Sequence, residues 1–174
     1  MANLFSVRGV TPKLHATARV FPTAVVTGEV TCGERCTFWF GSVTRGDVMP
    51  VTLGDYVNVQ DGAVLHGTYR RHALTVGSRV SIGHRACVHG CTLHDDVLIG
   101  MGAIVLDGAV VHAGCLVAAG AVVTQGQVCE SGWIYAGVPA EPIKRLTEEA
   151  FRDEVTRIAE AYPMYAGWYE EGEQ

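Results

Sequence analysis

The chain reads as an all-β solenoid, a parallel β-helix closed by one C-terminal α-helix, and three observations predict this class. From Leu93 the sequence LHDDVL IGMGAI VLDGAV VHAGCL VAAGAV VTQGQV carries an aliphatic residue at every sixth position: Leu93, Ile99, Val105, Val111, Val117 and Val123. Four residues after each stands a second apolar or small one (Val97, Ala103, Ala109, Cys115, Ala121), until Gln127 breaks the series. Glycine recurs at 102, 108, 114, 120 and 126. Self-similarity at a short fixed period marks a repeat solenoid, and a six-residue unit marks a parallel β-helix.

The period extends back to the N-terminus. Leu14, Val20, Val26, Cys32 and Phe38 open five units, Leu53, Val59 and Leu65 open three more, and Val76, Ile82 and Val88 follow. The register breaks twice. GTYRRHALT at 67–75 holds extra residues and reads as a loop thrown out of the coil, and the step from Val88 to Leu93 is one residue short. Insertions of this kind in solenoids collect near binding sites. Residues 1–130 therefore read as β-helix, 131–146 as a Gly/Pro turn and extension, and 147–174 as a terminal helix and tail. Thr147 suits the N-cap, Glu148 and Glu149 suit the positive helix start, and Pro163 is expected just past the end. Leu146, Ala150, Phe151, Val155, Ile158 and Tyr162 form an apolar stripe, so the helix is expected to brace the solenoid or a neighbouring subunit. The aromatic tail YPMYAGWYEEGEQ is expected to dock on a surface that the sequence does not name.

Composition narrows the function classes. With 48% hydrophobic and 18% charged residues in 174, the chain can fill a continuous core. A net charge of −5 offers no basic surface for nucleic acid or an anionic membrane. MANLFSVRGV lacks a basic start and a long apolar run, and no stretch approaches membrane-spanning length, so a cytoplasmic protein is expected. The six cysteines suit that compartment; Cys32, Cys36 and Cys115 fall on inward positions, where a free thiol packs as a small hydrophobe.

Such units resemble the hexapeptide-repeat family, in which three units make one triangular, left-handed coil. With three units per coil, positions 44, 65, 88 and 105 share face A, 53, 76, 93 and 111 share face B, and 59, 82, 99 and 117 share face C. Residues directly after an inward aliphatic point outward. Arg45, His66 and His89 take that position on face A in successive coils, so His66 and His89 can share one ion across a strand spacing of about 4.8 Å. On face C, Asp61 and His84 sit one coil apart, with Gln60 beside Asp61. A threefold arrangement would bring face C of one copy to face A of the next, making His84 the third ligand. Three histidines and one open position form a catalytic zinc geometry. His94 and His112 stack similarly on face B, but with no third histidine or carboxylate-rich companion.

TRGD at 44–47, NVQDGAVLH at 58–66 and IGHRACVHGC at 82–91 are similar to the motifs of γ-class carbonic anhydrases, in the same order and spacing, and the likeness continues through GVPAEPI at 137–143. The resemblance implies a homotrimer in which His66, His84 and His89 bind zinc, or iron or cobalt, between subunits. It implies reversible hydration of CO2 to bicarbonate by a metal-activated water that Asn58 and Gln60 orient, with Arg45, Asp47 and Asp61 pairing at the interface. Tyr135 is a further candidate from the turn after the solenoid. Two acidic residues of the fast archetype are absent: one position holds Val48, and GTYRRHA contains no acid. His72 is the candidate substitute for proton transfer. Alternatives are a hexapeptide-repeat acyltransferase, a metal-dependent CoA-thioesterase on the same metal, or a metal-binding scaffold with weak catalysis.

Overall fold

In the computed structural model, which describes residues 3–171, the chain winds through about seven turns of a left-handed parallel β-helix and ends in a helix. Parallel registers tie the faces together. Leu65, Val88, Val105 and Val123 follow one another on face A, Leu53, Val76, Leu93, Val111 and Cys129 on face B, and Phe38, Val59, Ile82, Ile99 and Val117 on face C. All of these side chains are buried. Hydrophobic burial thus stacks along the axis, with each valine or leucine contributing about 1.5–3 kcal/mol. Faces A and B belong to one sheet, because Val25–Cys32 and Val43–Leu53 run unbroken around the edge between them.

The recurrent glycine is a left-handed bend three residues after each inward aliphatic; Gly102, Gly108, Gly114, Gly120 and Gly126 have φ between 66° and 70°. At the same lattice position the lower coils place Arg35, Tyr56, Arg79, Arg85 and Asp96, with φ between 54° and 58°. Each such residue costs roughly 1–2 kcal/mol relative to the right-handed region. Arg79 and Asp96 offset part of that by a two-pronged ion pair of 2.6 and 2.7 Å.

Three boundaries differ from the sequence expectation. The loop ends at residue 73, because Leu74 is fully buried and Leu74–Val76 already pairs as a strand. The solenoid continues past residue 130: Trp133–Ala136 adds a strand to face C on Leu116–Val117, and Glu141–Arg145 folds back antiparallel on it. The terminal helix runs from Glu148, through a wider π-helical segment at Phe151–Thr156, to Glu171, with Pro163 inside it. Thr147 caps the start, its hydroxyl accepting from the Ala150 amide at 3.1 Å. Pro163 does not stop the helix because the turns on either side are held by aromatic packing. Tyr162 meets Trp39 edge-on at 5.2 Å, and Tyr169 meets Phe21 at 5.0 Å. The aromatic tail therefore docks on the lowest coils, on Phe21, Trp39 and Phe40. All six cysteines are free, and Cys32, Cys36, Cys91, Cys115 and Cys129 are buried. No helix among the described residues is long and apolar enough to cross a membrane.

Candidate metal centre

Two of the predicted ligands meet at the edge between faces A and B. His66 and His89 are in direct register, and His66 Nδ1 lies 3.0 Å from His89 Nε2. Each ring is held from its far side by a carboxylate. His66 Nε2 is 3.0 Å from Asp47 Oδ1, and His89 Nδ1 is 2.6 Å from Asp107 Oδ1. A carboxylate accepts only, so each bound ring nitrogen carries the hydrogen and the other presents a lone pair. The two lone pairs then face one another, an arrangement that repels unless a cation lies between them. Zinc–nitrogen bonds of about 2.0–2.1 Å put two tetrahedral ligand atoms roughly 3.3 Å apart, close to the observed separation. The donor set fits a zinc-like ion.

The carboxylates are themselves fixed. Asp47 accepts from Arg45 at 2.5 Å, and Asp107 accepts from the Thr68 hydroxyl at 2.5 Å. Burial alone would raise both carboxyls, but Arg45 and His66 hold Asp47, and Thr68 and His89 hold Asp107, below the usual carboxylate range. Burial, with the nearby Arg45 and His89 charges, outweighs Asp47 and pushes His66 down, which favours the neutral imidazole a metal requires. Gly46 explains the middle of TRGD: a Cβ there would stand 2.3 Å from the Glu29 carbonyl oxygen, and one on its partner Gly28 would stand 2.5 Å from the Gly46 carbonyl oxygen. The two backbones interlock just where the strand register shifts, which sets Arg45 and Asp47 on one side of the strand.

His84 lies at the opposite edge of face A, where face C ends. Its Nδ1 is 2.9 Å from Asp61 Oδ2, so a third imidazole has a carboxylate beside it, one rung away. Beside it Gln60 is nearly buried and donates to Asn58 Oδ1 at 2.9 Å, while Asn58 donates to Ser81 Oγ at 2.8 Å. These bonds fix the Gln60 amide next to His84. Both line a cavity of about 500 Å³, with Tyr162 of the terminal helix on its other side. Burial, with a contribution from the Asp61 charge, pushes the Tyr162 phenol up to about 12, so it stays a neutral donor.

The width of face A separates His84 from His66 and His89, and among the described residues no three His, Cys, Asp or Glu side chains in one chain are placed to hold a metal. The six polar residues Arg45, Asp47, Asn58, Gln60, Asp61 and His84 thus fall at two edges rather than one. Tyr135 belongs to neither. It follows Val117 in the inward row, is 4% exposed, and its hydroxyl accepts from the Glu130 amide at 2.9 Å inside the core. Tyr135 is therefore a core residue, three rungs above His84, and the sequence reading of it as a site residue is corrected. His72 folds back over the coil: a Cβ on Gly90 would lie 2.8 Å from its own, and its charge acts on Asp107. Sequence reasoning missed Asp107, Thr68 and Tyr162. Asp107 had a signal, a carboxylate one rung above His89 and one position further along.

Residues 90–125 match the family described as bacterial transferase hexapeptide (six repeats). A Geobacillus kaustophilus protein named carbonic anhydrase is 39% identical over 95% of this chain and 90% of its own length. Gamma carbonic anhydrase 1, mitochondrial, of Arabidopsis thaliana is 38% identical over 89% of this chain, which spans 57% of that relative. A solved Bacillus cereus structure, described as a candidate acetyltransferase, superposes with a TM-score of 0.90 at 35% identity, covering 97% of this chain and 96% of that one. With its hexapeptide lattice and relatives of this identity and coverage, the chain belongs to the γ-class carbonic anhydrase family of left-handed β-helix proteins.

Proposed function

We propose that the protein catalyses reversible hydration of CO2 to bicarbonate at a metal ion shared between copies of a homotrimer. One observation carries the reading: three imidazoles stand at two edges of one face, each with a carboxylate oxygen within 3.0 Å of one ring nitrogen. His66 and His89 of one copy and His84 of the next would hold zinc, with Fe2+ or Co2+ as alternatives. When bound, such an ion acidifies water toward neutral pH and so supplies the nucleophile for CO2. The chain's own groups do the rest. Gln60, fixed through Asn58 and Ser81, aims the attacking water and holds a bicarbonate oxygen through its amide. Tyr162 offers a second neutral donor across the cavity. His72, beside Asp107, passes the released proton to buffer. Arg45, Asp47 and Asp61 keep the ligand rings and the subunit contact in place.

Assembly is supported by an apolar outward row on face A (Val43, Val64, Cys87, Ile104, Val122), none of it buried by the chain itself. The six free thiols support a reducing compartment, the cytoplasm.

The test is CO2 hydration by stopped flow in strong imidazole buffer on zinc- and iron-loaded protein. His84→Ala and His89→Ala are each expected to be inactive. Refolded together as mixed trimers, they are expected to recover about a quarter of the wild-type sites, since an interface then draws His66 and His89 from one variant and His84 from the other. Equal inactivity of the mixture would exclude a shared centre. Bound metal without hydration would favour acyl transfer, the reading that the Bacillus cereus neighbour's description supports.

A further inference from the structure

Between the outer side of face C and the terminal helix, the 500 Å³ cavity is far larger than a three-atom substrate needs. Gln60, His84 and Tyr162 meet at its lower end, and Glu154 and Arg157 of the helix also line it beside Ile158. Above them it climbs past Leu98 and Met101 to Leu116 and Ala119, with Ile158 of the helix as the opposite wall. From the Gln60 rung to the Leu116 rung is three strand spacings, about 14 Å. The face C wall above Gln60 and His84 is apolar but not sealed: Met101 is 60% exposed at the rim. Small residues open the groove. Gly83 and Gly100 are bare because a Cβ on either would meet the next coil's backbone at 2.7 and 2.4 Å, and Ala118 and Ala119 continue that edge.

We propose that this groove binds a linear medium-chain carboxylate of roughly eight carbons, its head at Gln60, His84 and Tyr162 and its alkyl chain along Leu98, Leu116 and Ile158. The head shares its chemistry with bicarbonate, HO–CO2⁻ against R–CO2⁻, and so rests on the metal-centre reading. Asp61 beside His84 repels a bare carboxylate, and the bound cation offsets that charge. The alkyl half rests only on the shape and lining of the groove. A chain of this length fills the upper three rungs, while acetate leaves them to water.

The two halves separate experimentally by titration calorimetry. On metal-free protein, 1-butanol, 1-hexanol and 1-octanol are expected to bind with affinities rising about fourfold per methylene. Ala119→Phe, at an exposed position, is expected to fill the groove and remove that increment with an unchanged circular dichroism spectrum; Leu116→Ser is expected to weaken octanol about tenfold. On zinc-loaded protein, octanoate is expected to show the same increment over butanoate, and zinc is expected to strengthen octanoate but not octanol. Affinity independent of chain length would overturn the groove and leave the metal reading standing. A methylene increment without any zinc-dependent gain for octanoate would overturn the head assignment and count against the metal centre. If Ala119→Phe instead alters the sedimenting mass, a second copy fills the groove and the proposal fails.

Discussion

Two histidine pairs occupy equivalent places on this lattice, and only one has the makings of a site. His66 and His89 on face A, like His94 and His112 on face B, each follow an inward aliphatic and sit one rung apart. Their ring centroids are 5.0 Å apart in both cases. The face A rings are tilted by 61°, with nitrogen facing nitrogen, whereas the face B rings lie flat on one another at 15°. Asp47 and Asp107 grip the outer nitrogens of the first pair; among the described residues neither His94 nor His112 pairs with a carboxylate. A parallel solenoid brings outward histidines to metal-spanning distance as a by-product of its spacing. The carboxylates turn that proximity into a donor set, because they decide which nitrogen keeps its lone pair.

The comparison can be broken at its base. Gly46→Ala forces the interlocked strands apart at the point that places Asp47, and is expected to cost on the order of 3 kcal/mol. A melting temperature lower by roughly 6–12 °C in calorimetry checks it. Asp107→Asn makes the face A pair resemble the face B pair while leaving the coil intact. Zinc affinity, measured by competition with a chromophoric chelator, is expected to fall about 10–100-fold with little change in melting temperature. The converse substitution sharpens the contrast. Ser131 stands to His112 as Asp107 stands to His89, one rung above and one position on. Ser131→Asp is expected to raise the affinity of the face B pair for Ni2+ or Cu2+ by about tenfold, followed by histidine NMR shifts. At the small end, His112→Ala is expected to leave zinc content unchanged by elemental analysis and stability within about 0.5 kcal/mol.

The coil was legible because its code is local: one inward aliphatic per unit, one small residue inside the bend, one left-handed position three residues on. The faces assigned by counting agree with the observed registers from Thr44 to Val117. Arg45, His66 and His89 were placed by the same counting, each directly after an inward position, and Asp61 and His84 each two residues after one; Asp47 came only from the resemblance that TRGD carries. Asp107 and Thr68 were missed because their contacts run diagonally between rungs and depend on where a loop returns. Tyr162 was missed because nothing local says on which face a helix will dock. Tyr135 was misread although the lattice held the answer. It lies 18 residues after Val117, as Val117 does after Ile99, so three six-residue units carry it inward across the apparent end of the repeat. Pro163 was read as a stop because helix propensity is a weak prior against the tertiary packing of Tyr162, Ala166 and Tyr169 on the lower coils.

Both faults in the repeat fall on the same edge and on adjacent rungs. The loop at 67–73 follows His66, the shortened turn with Gly90 follows His89, and His72 of the former lies over the space the latter leaves. The chain regains register at Leu74 and again at Leu93, so residues can be added to or taken from this edge without shifting a single inward side chain. The edge is in effect an interchangeable part. A lineage can rewrite the rim beside His66 and His89, by replacing one short segment, while the spacing of the histidine-bearing strands stays as the backbone ladder set it.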